Sequence, residues 1–299
     1  MGSISPSERL LELGGIATRG TLLRSCERVD LDRAMAAGDI VRIARGRYAL
    51  AVVDEDVRTT ARLGGVLALT SAALHHGWAV KTVPDRPHLM FSRGRHLDAT
   101  ERGAHIHRAE LAPEDVEDGV TTPEVTLAHC MRRLSFDEAL AIADSALRSG
   151  VSRSTLQRIA DDARGPGAAQ MRRVAACASA DAANPFESVL RAIALDIPGL
   201  TVRPQVTIRE PDIVARPDLV DERLRIVAEA DSFEWRGGRA QLSADARRYD
   251  LLVVNGWLVL RFSYEHVMTR PDFVRRVLVA AVALAERMRE AGLIAPSAA

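Results

Sequence analysis

The residue pattern predicts an α+β multidomain fold, on three observations. Three short helical stretches run into an alternating apolar–polar pair at the N-terminus. A long middle stretch is dominated by amphipathic helical periodicity. After the small, polar segment "ASADAANP", the order becomes helix, three strands, helix, strand, helix, which packs as an α/β sandwich around one mixed sheet. A chain of 299 residues suits about two domains or slightly more. The predicted divisions are 1–52, a winged helix-turn-helix; 53–180, a mixed α/β and then helical region; and 181–299, an α/β domain.

At the N-terminus, "PSERLLELGG" reads as a helix stopped by Gly14-Gly15, and "TRGTLLRSCE" as a second. "DLDRAMAAGD" is the third, with Asp30 as its expected N-cap and Gly38 as its stop. "IVRIARGRYAL" then alternates around Arg45-Gly46, a hairpin signal. Three helices followed by a two-stranded wing is the order of a winged helix, whose third helix enters the major groove while the wing touches backbone. Arg28 and Arg33 on the third helix, and Arg45 and Arg47 on the wing with Arg42, are the expected contacts to double-stranded DNA.

In the middle, "LGGVLALTSAALHHGW" reads as one apolar helix, and "RPHLMFS" and "AHIHRAEL" as strands. "TPEVTLAHCMRRL", "SFDEALAIADSALRSG" and "SRSTLQRIADDAR" are amphipathic helices with caps expected at Thr122, Ser135 and Ser152. His75-His76 and His105/His107 lack a complete ligand set among their neighbours and read as packed or solvated side chains.

Composition narrows the function classes. Acidic and basic residues balance at 40 each, so any basic surface must be local. Lys81 is the single lysine; arginine carries the rest of the positive charge and matches phosphate geometry well. Cys26, Cys130 and Cys177 are odd in number and form no C-x-x-C, which points to a reducing cytoplasm and away from zinc ribbons or a disulfide framework. "MGSISPSERLLELGG" has no apolar run of the signal-peptide kind. "VLVAAVALA" is too short to span a bilayer and is expected to face a core, so no membrane role is expected.

The C-terminal stretch "RPDLVDERLRIVAEADSFEW" holds two apolar runs around a polar turn at 221–223, with four acids outside the turn, Asp218, Glu229, Asp231 and Glu234. Strand residues alternate faces, so Glu229 and Asp231 project to one side, with Asp218 on the preceding strand. Clustered carboxylates repel and are costly to desolvate. A hard divalent cation, Mg²⁺ or Mn²⁺, would relieve that repulsion and could activate a water toward a phosphodiester. An edge hairpin with a solvated acidic face is the other reading of the same spacing. Glu187 could join the acids from the first helix of this region, although Asn184-Pro185-Phe186-Glu187 is equally a helix-capping arrangement. Asp245 and Arg248 stand at i, i+3 and can pair, or Arg247 and Arg248 can face phosphate.

These pieces carry a resemblance. "FESVLRAIAL", "VRPQVTI", "RPDLVDERLRIVAEADSFEW", "SADARRYDLLVVNGWLVLRF" and the helix after "RPDFV" resemble a bacterial domain family allied to very-short-patch-repair endonucleases, in the PD-(D/E)xK superfamily. The resemblance implies a restriction-endonuclease-like fold and a metal-dependent phosphodiesterase site. Asp218 matches the aspartate of the "PD", Glu229 the second acid, Asp231 the acid of an E-x-D-G motif, Glu187 the helix acid and Gln205 a glutamine of the preceding strand. The superfamily lysine is replaced by Asp231, and Ser232 and Trp235-Arg236 stand where a Gly and a His are usual. Acid assistance would then fall to metal-bound water, His266 or Arg236. The first fifty or so residues resemble the winged helix of type IV abortive-infection antitoxins. Two functions follow: a Mg²⁺-dependent endonuclease that binds DNA, or an antitoxin-like transcriptional regulator with a degenerate nuclease domain and a toxin-like protein partner.

Overall fold

The computed structural model describes residues 4–96, 103–231 and 239–292. The chain is a mixed α+β protein that divides into two compact units, Met1–Ala180 and Asp181–Ala299.

In the first unit, α1 (Pro6–Glu12) opens with a reciprocal cap between Ser5 and Glu8. β1 (Ile16–Thr18), α2 (Arg19–Leu22) and α3 (Arg28–Ala37) follow, then β2 (Ile40–Ala44) and β3 (Arg47–Leu50). The strands form one antiparallel sheet in the order β1-β3-β2. β1 was not legible from its three residues. It exists because Gly14 and Gly15, both at positive φ, turn the chain back from α1 to pair with β3. The N-cap of α3 is Glu27, not Asp30; Asp30 lies in the first turn, where a carboxylate meets the positive end of the helix. Gly38 closes α3 in the left-handed conformation, as expected. Leu10, Leu22, Leu31, Ile40 and Tyr48 fill the core between helices and sheet.

The unit continues through α4 (Val52–Leu63), β4 (Val66–Leu67), α5 (Leu69–His75), β5 (His88–Phe91), β6 (His105–Arg108), a 3-10 turn at Pro113–Asp115, β7 (Val116–Glu117) and β8 (Val120–Thr121). A five-stranded sheet runs β6-β5-β4-β8-β7. The single apolar helix expected over 63–78 is therefore a strand and a helix. Gly64 ends α4, β4 pairs with β5 and β8, and Leu69 starts α5 at a positive φ. Four helices complete the unit, α6 (Pro123–Arg133), α7 (Phe136–Arg148), α8 (Arg153–Asp161) and α9 (Ala168–Cys177). Ser152 caps α8 through the Thr155 N–H, and Ser135 and Glu138 cap α7. Thr122 precedes α6 without a side-chain cap bond. The three cysteines are free thiols.

The second unit runs α10 (Pro185–Ala194), β9 (Arg203–Pro204), β10 (Ile208–Glu210), β11 (Ile213–Ala215), β12 (Leu219–Asp221), β13 (Ile226–Asp231), α11 (Arg239–Val254), β14 (Leu258–Ser263), α12 (Tyr264–Thr269) and α13 (Pro271–Glu290). Instead of one sheet there are two: a four-stranded sheet in the order β14-β13-β12-β9, and a separate β10–β11 hairpin. Pro217, which lacks an N–H, lies between β11 and β12 and splits the single strand expected there. β13 and β14 are parallel, with α11 as the crossover between them. One sheet face presents Leu219, Ile226, Ala228 and Phe262 to α10, α12 and α13. Val274, Leu278, Ala281 and Ala285 line the buried stripe of α13, so its apolar run does face a core. The opposite face presents Val220 and Val227 to Leu252 of α11, Trp257 and the β10–β11 hairpin. Among the described residues no helix is long and apolar enough to cross a membrane.

Candidate functional site

The acidic corner lies on the α11 side of the four-stranded sheet. Val227 faces α11, so by alternation Glu229 and Asp231 do too, as the period of two predicts. Antiparallel pairing of Leu219 with Ala228 brings Asp218 opposite Glu229. The Asp218 N–H donates to Glu229 Oε2 at 3.2 Å, and Asp218 Oδ2 accepts the Ala230 N–H at 2.9 Å. Gln205 bridges from the neighbouring segment. Its Nε2 donates to Asp218 Oδ1 at 3.0 Å and to Glu187 Oε2 at 3.2 Å. Its backbone is held at φ +56°, a strained conformation fixed by the N–H bond to the Asp218 carbonyl.

Glu187 performs the capping role, since Asn184 Oδ1 accepts its N–H while its carboxylate accepts from the Ala183 N–H and Asn184 Nδ2. Through Gln205 it also stands close enough to act on Asp218. Burial raises the Asp218 carboxyl to about 7, helped by the charge of Glu187 and opposed by hydrogen bonds from Ala230, Glu229 and Gln205. Burial likewise raises Glu229 to about 7, with the Asp218 charge adding and Arg248 opposing. Two such groups titrate as a pair, holding a proton between them near neutral pH. Glu229 Oε1 is buried and accepts no hydrogen bond.

Asp231 is placed differently. Its carboxylate pairs with Arg261 of β14, at 2.5 Å, instead of turning toward Asp218 and Glu229. Glu234, Ser232, Trp235 and Arg236 lie outside the described residues. His266 caps α12, its Nδ1 accepting the N–H of Ser263, the register partner of Asp231. Among the described residues, no group of three or more His, Cys, Asp or Glu side chains is arranged to hold a metal ion. The basic neighbours were harder to foresee. Arg248 of α11 approaches Glu229 at 3.5 Å as well as its expected partner Asp245 at 3.6 Å. Arg261 stands beside Glu229 because β13 and β14 pair in parallel register, which period alone does not give.

In the first unit four of the sequence-predicted arginines, Arg28, Arg33, Arg45 and Arg47, separate into two kinds. Arg28 and Arg33 lie on the exposed side of α3, within 3.8 Å of Asp32 and 3.0 Å of Asp30. Arg45 is exposed at the β2–β3 turn. Arg47 instead braces the hairpin against its own unit, donating to the Gly77 carbonyl and the Ser149 hydroxyl. The histidines are packed or paired: His76 with the Thr121 carbonyl at 2.8 Å, His105 with Asp85 at 2.8 Å, and His107 with His88 at 2.9 Å.

No family model matches the chain. Two Mycobacterium tuberculosis proteins, the uncharacterized proteins MT2308 of strain CDC 1551 and Rv2248 of strain H37Rv, are each 29% identical over 259 residues, covering 82% of this chain and 93% of theirs. The match is longer than either unit, so the two occur together in those relatives. Among solved structures, the RV2827C protein of M. tuberculosis aligns with a TM-score of 0.30 at 14% identity, over 69% of this chain and 87% of its own.

Proposed function

We propose that this is a DNA-binding protein whose second unit hydrolyses phosphodiesters with a divalent cation. The observation that carries the reading is the Asp218–Glu229 pair. A buried carboxylate, Glu229, faces a half-buried one, Asp218, each pushed up to about 7, with one buried Glu229 oxygen lacking a hydrogen-bond partner. Such an arrangement is unfavourable for stability alone and suits a hard, oxygen-seeking cation. The residues fit Mg²⁺ or Mn²⁺ through Asp218 and Glu229, with Glu187 and Gln205 fixing the Asp218 carboxylate. Bound there, the ion supplies Lewis acidity toward a phosphoryl oxygen. Asp231 serves this site indirectly, by anchoring Arg261.

The first unit supplies duplex docking in this reading. Its three helices and sheet follow the order of a winged helix-turn-helix, with α3 presenting Arg28 and Arg33 to the major groove and the β2–β3 turn presenting Arg45 to the backbone. Substituting Arg33 and Arg45 by Gln is expected to weaken binding to all duplexes and to lower its salt dependence by about one to two counterions. The main test is incubation of supercoiled plasmid and mismatched duplex with Mg²⁺ or Mn²⁺, comparing wild type with Asp218→Asn and Glu229→Gln. Nicking that persists unchanged in both variants would remove this site from the mechanism.

One observation favours a second reading. The pairing of Asp231 with Arg261 leaves two acids where a third ligand was expected, as in a nuclease domain retained for binding without cutting. The protein is then an antitoxin-like transcriptional regulator, with a toxin-like partner. Titration of Mn²⁺ separates the two: a saturable ion lost in Asp218→Asn supports the hydrolase, and no bound ion supports the regulator.

A further inference from the structure

Beside the carboxylates lies a cationic group that the metal reading leaves unused. One row of side chains runs from Asp218, just before β12, through Glu229 of β13 to Arg261 of β14, because Leu219 pairs with Ala228 and Glu229 with Arg261. Arg248 reaches over the same row from α11. Both guanidiniums pack on the ring of Tyr249, Arg248 at 4.8 Å and Arg261 at 4.3 Å from its centroid. The Tyr249 hydroxyl accepts from Arg248 Nη2 at 2.7 Å.

The donors of Arg248 are unevenly used. Its contacts to Glu229, Asp245 and Tyr249 all run through Nη2, while its Nε–H is buried and makes no hydrogen bond. A guanidinium offers five donors in a planar fork, and a buried donor without an acceptor is costly. The buried Nε is closed to a ligand, but the exposed guanidinium end uses only Nη2 in its contacts, and a phosphate oxygen is the small anionic acceptor that suits its remaining donors. Both side chains stay reachable, Arg248 at 36% and Arg261 at 46% exposure. The single lysine, Lys81, is in the other unit, so arginine is the cation that this row offers a phosphate.

The geometry points to Arg248 and Arg261, both packed on Tyr249, as the holder of the non-bridging oxygens of a nucleic-acid phosphodiester beside Asp218 and Glu229. This rests on the proposed hydrolase site for its location and adds the side of it that grips substrate. The row then has an anionic end that suits a cation and a cationic end that suits a phosphate. Tyr249 packs against both guanidiniums and so fixes them beside one another at the cationic end.

The test uses the full chain and the p-nitrophenyl ester of thymidylate, a single phosphodiester too small to span a DNA groove. Binding is followed by calorimetry in Ca²⁺, and cleavage of DNA in Mn²⁺ is read separately. Arg248→Gln is expected to weaken probe binding about tenfold or more, and Arg261→Gln by a smaller factor. Arg248→Lys keeps the charge but not the fork, so an intermediate loss is expected, and it guards against misfolding of the neutral variant. Probe affinity unchanged in Arg248→Gln, or no saturable binding to wild type, would overturn the assignment. If probe binding depends on Arg248 but no DNA is cut, the hydrolase reading fails and the phosphate holder stands. If DNA is cut and Arg248→Gln retains wild-type KM and probe affinity, the reverse holds.

Discussion

Asp218→Asn is expected to raise the thermal stability of the metal-free protein at pH 8 while lowering DNA cleavage about a hundredfold or more. Both effects have one source, the cost of holding two carboxylates together out of water. In the folded chain Asp218 and Glu229 are pushed up to about 7 by burial and by one another. Unfolded, both titrate near their ordinary value of about 4. Between those limits the folded state keeps a proton that the unfolded state has released. Stability therefore falls as pH rises from about 4 to about 7, by about 1.4 kcal/mol per pH unit for each proton retained, and levels off above. An amide at position 218 cannot ionise, so the variant loses that group's share of the slope and the Asp218 charge that helps raise Glu229, while burial still holds Glu229 up. Mg²⁺ or Mn²⁺ added to wild type at pH 8 should recover stability by mass action, and should do little for the variant. Melting curves from pH 5 to pH 8, with and without the ion, read the whole pattern. A wild-type profile whose slope matches that of Asp218→Asn would show that the pair carries no buried charge, and the cation site would go with it.

How far the sequence alone reaches differs between fold and site. Alternation along "IVAEAD" was enough to put Glu229 and Asp231 on one face, because side-chain direction in a strand depends only on position. It was not enough to make them partners. Asp231 sits one pair further along, where Arg261 of the parallel neighbour captures it, and parallel register is set by the α11 crossover, a long-range feature. Asp218 met Glu229 because the turn between β12 and β13 is short and local. Helix termini marked by Gly38 and Asn184 were legible for the same reason: their caps reach only a few residues. The helix expected over 63–78 failed because its apolar residues also suit a two-residue strand, and pairing with β5 and β8 decided the matter. Arg47 shows the same limit. A wing arginine and a bracing arginine look alike until Gly77 and Ser149 are brought against it.

Asp221 supplies the contrast that makes the Asp218 argument specific. It is fully buried, yet both of its oxygens are committed: Oδ2 accepts the Thr201 N–H at 2.6 Å and Oδ1 the Leu224 N–H at 2.8 Å. It closes the β12–β13 turn and ties that turn to the segment entering β9. Asp221→Ala leaves two amides inside the fold without their acceptor and removes the group that sets the turn. Each abandoned donor costs about 1–3 kcal/mol, so a loss of about 3 kcal/mol or more is expected for the second unit. Asp221→Asn should cost less, about 2 kcal/mol, because one carbonyl oxygen remains while the new NH₂ faces an N–H. Denaturant unfolding with hydrogen exchange at Thr201 and Leu224 measures both variants. A cost under about 1 kcal/mol for Asp221→Ala would mean that water reaches these amides and that the turn is less buried than its packing states. The two acids three residues apart thus make opposite predictions on removal. Both accept hydrogen bonds, Asp218 from the Ala230 N–H and Gln205 Nε2, so the second carboxylate is what separates them: Asp218 stands against Glu229, and above about pH 7 removing its charge relieves that pair.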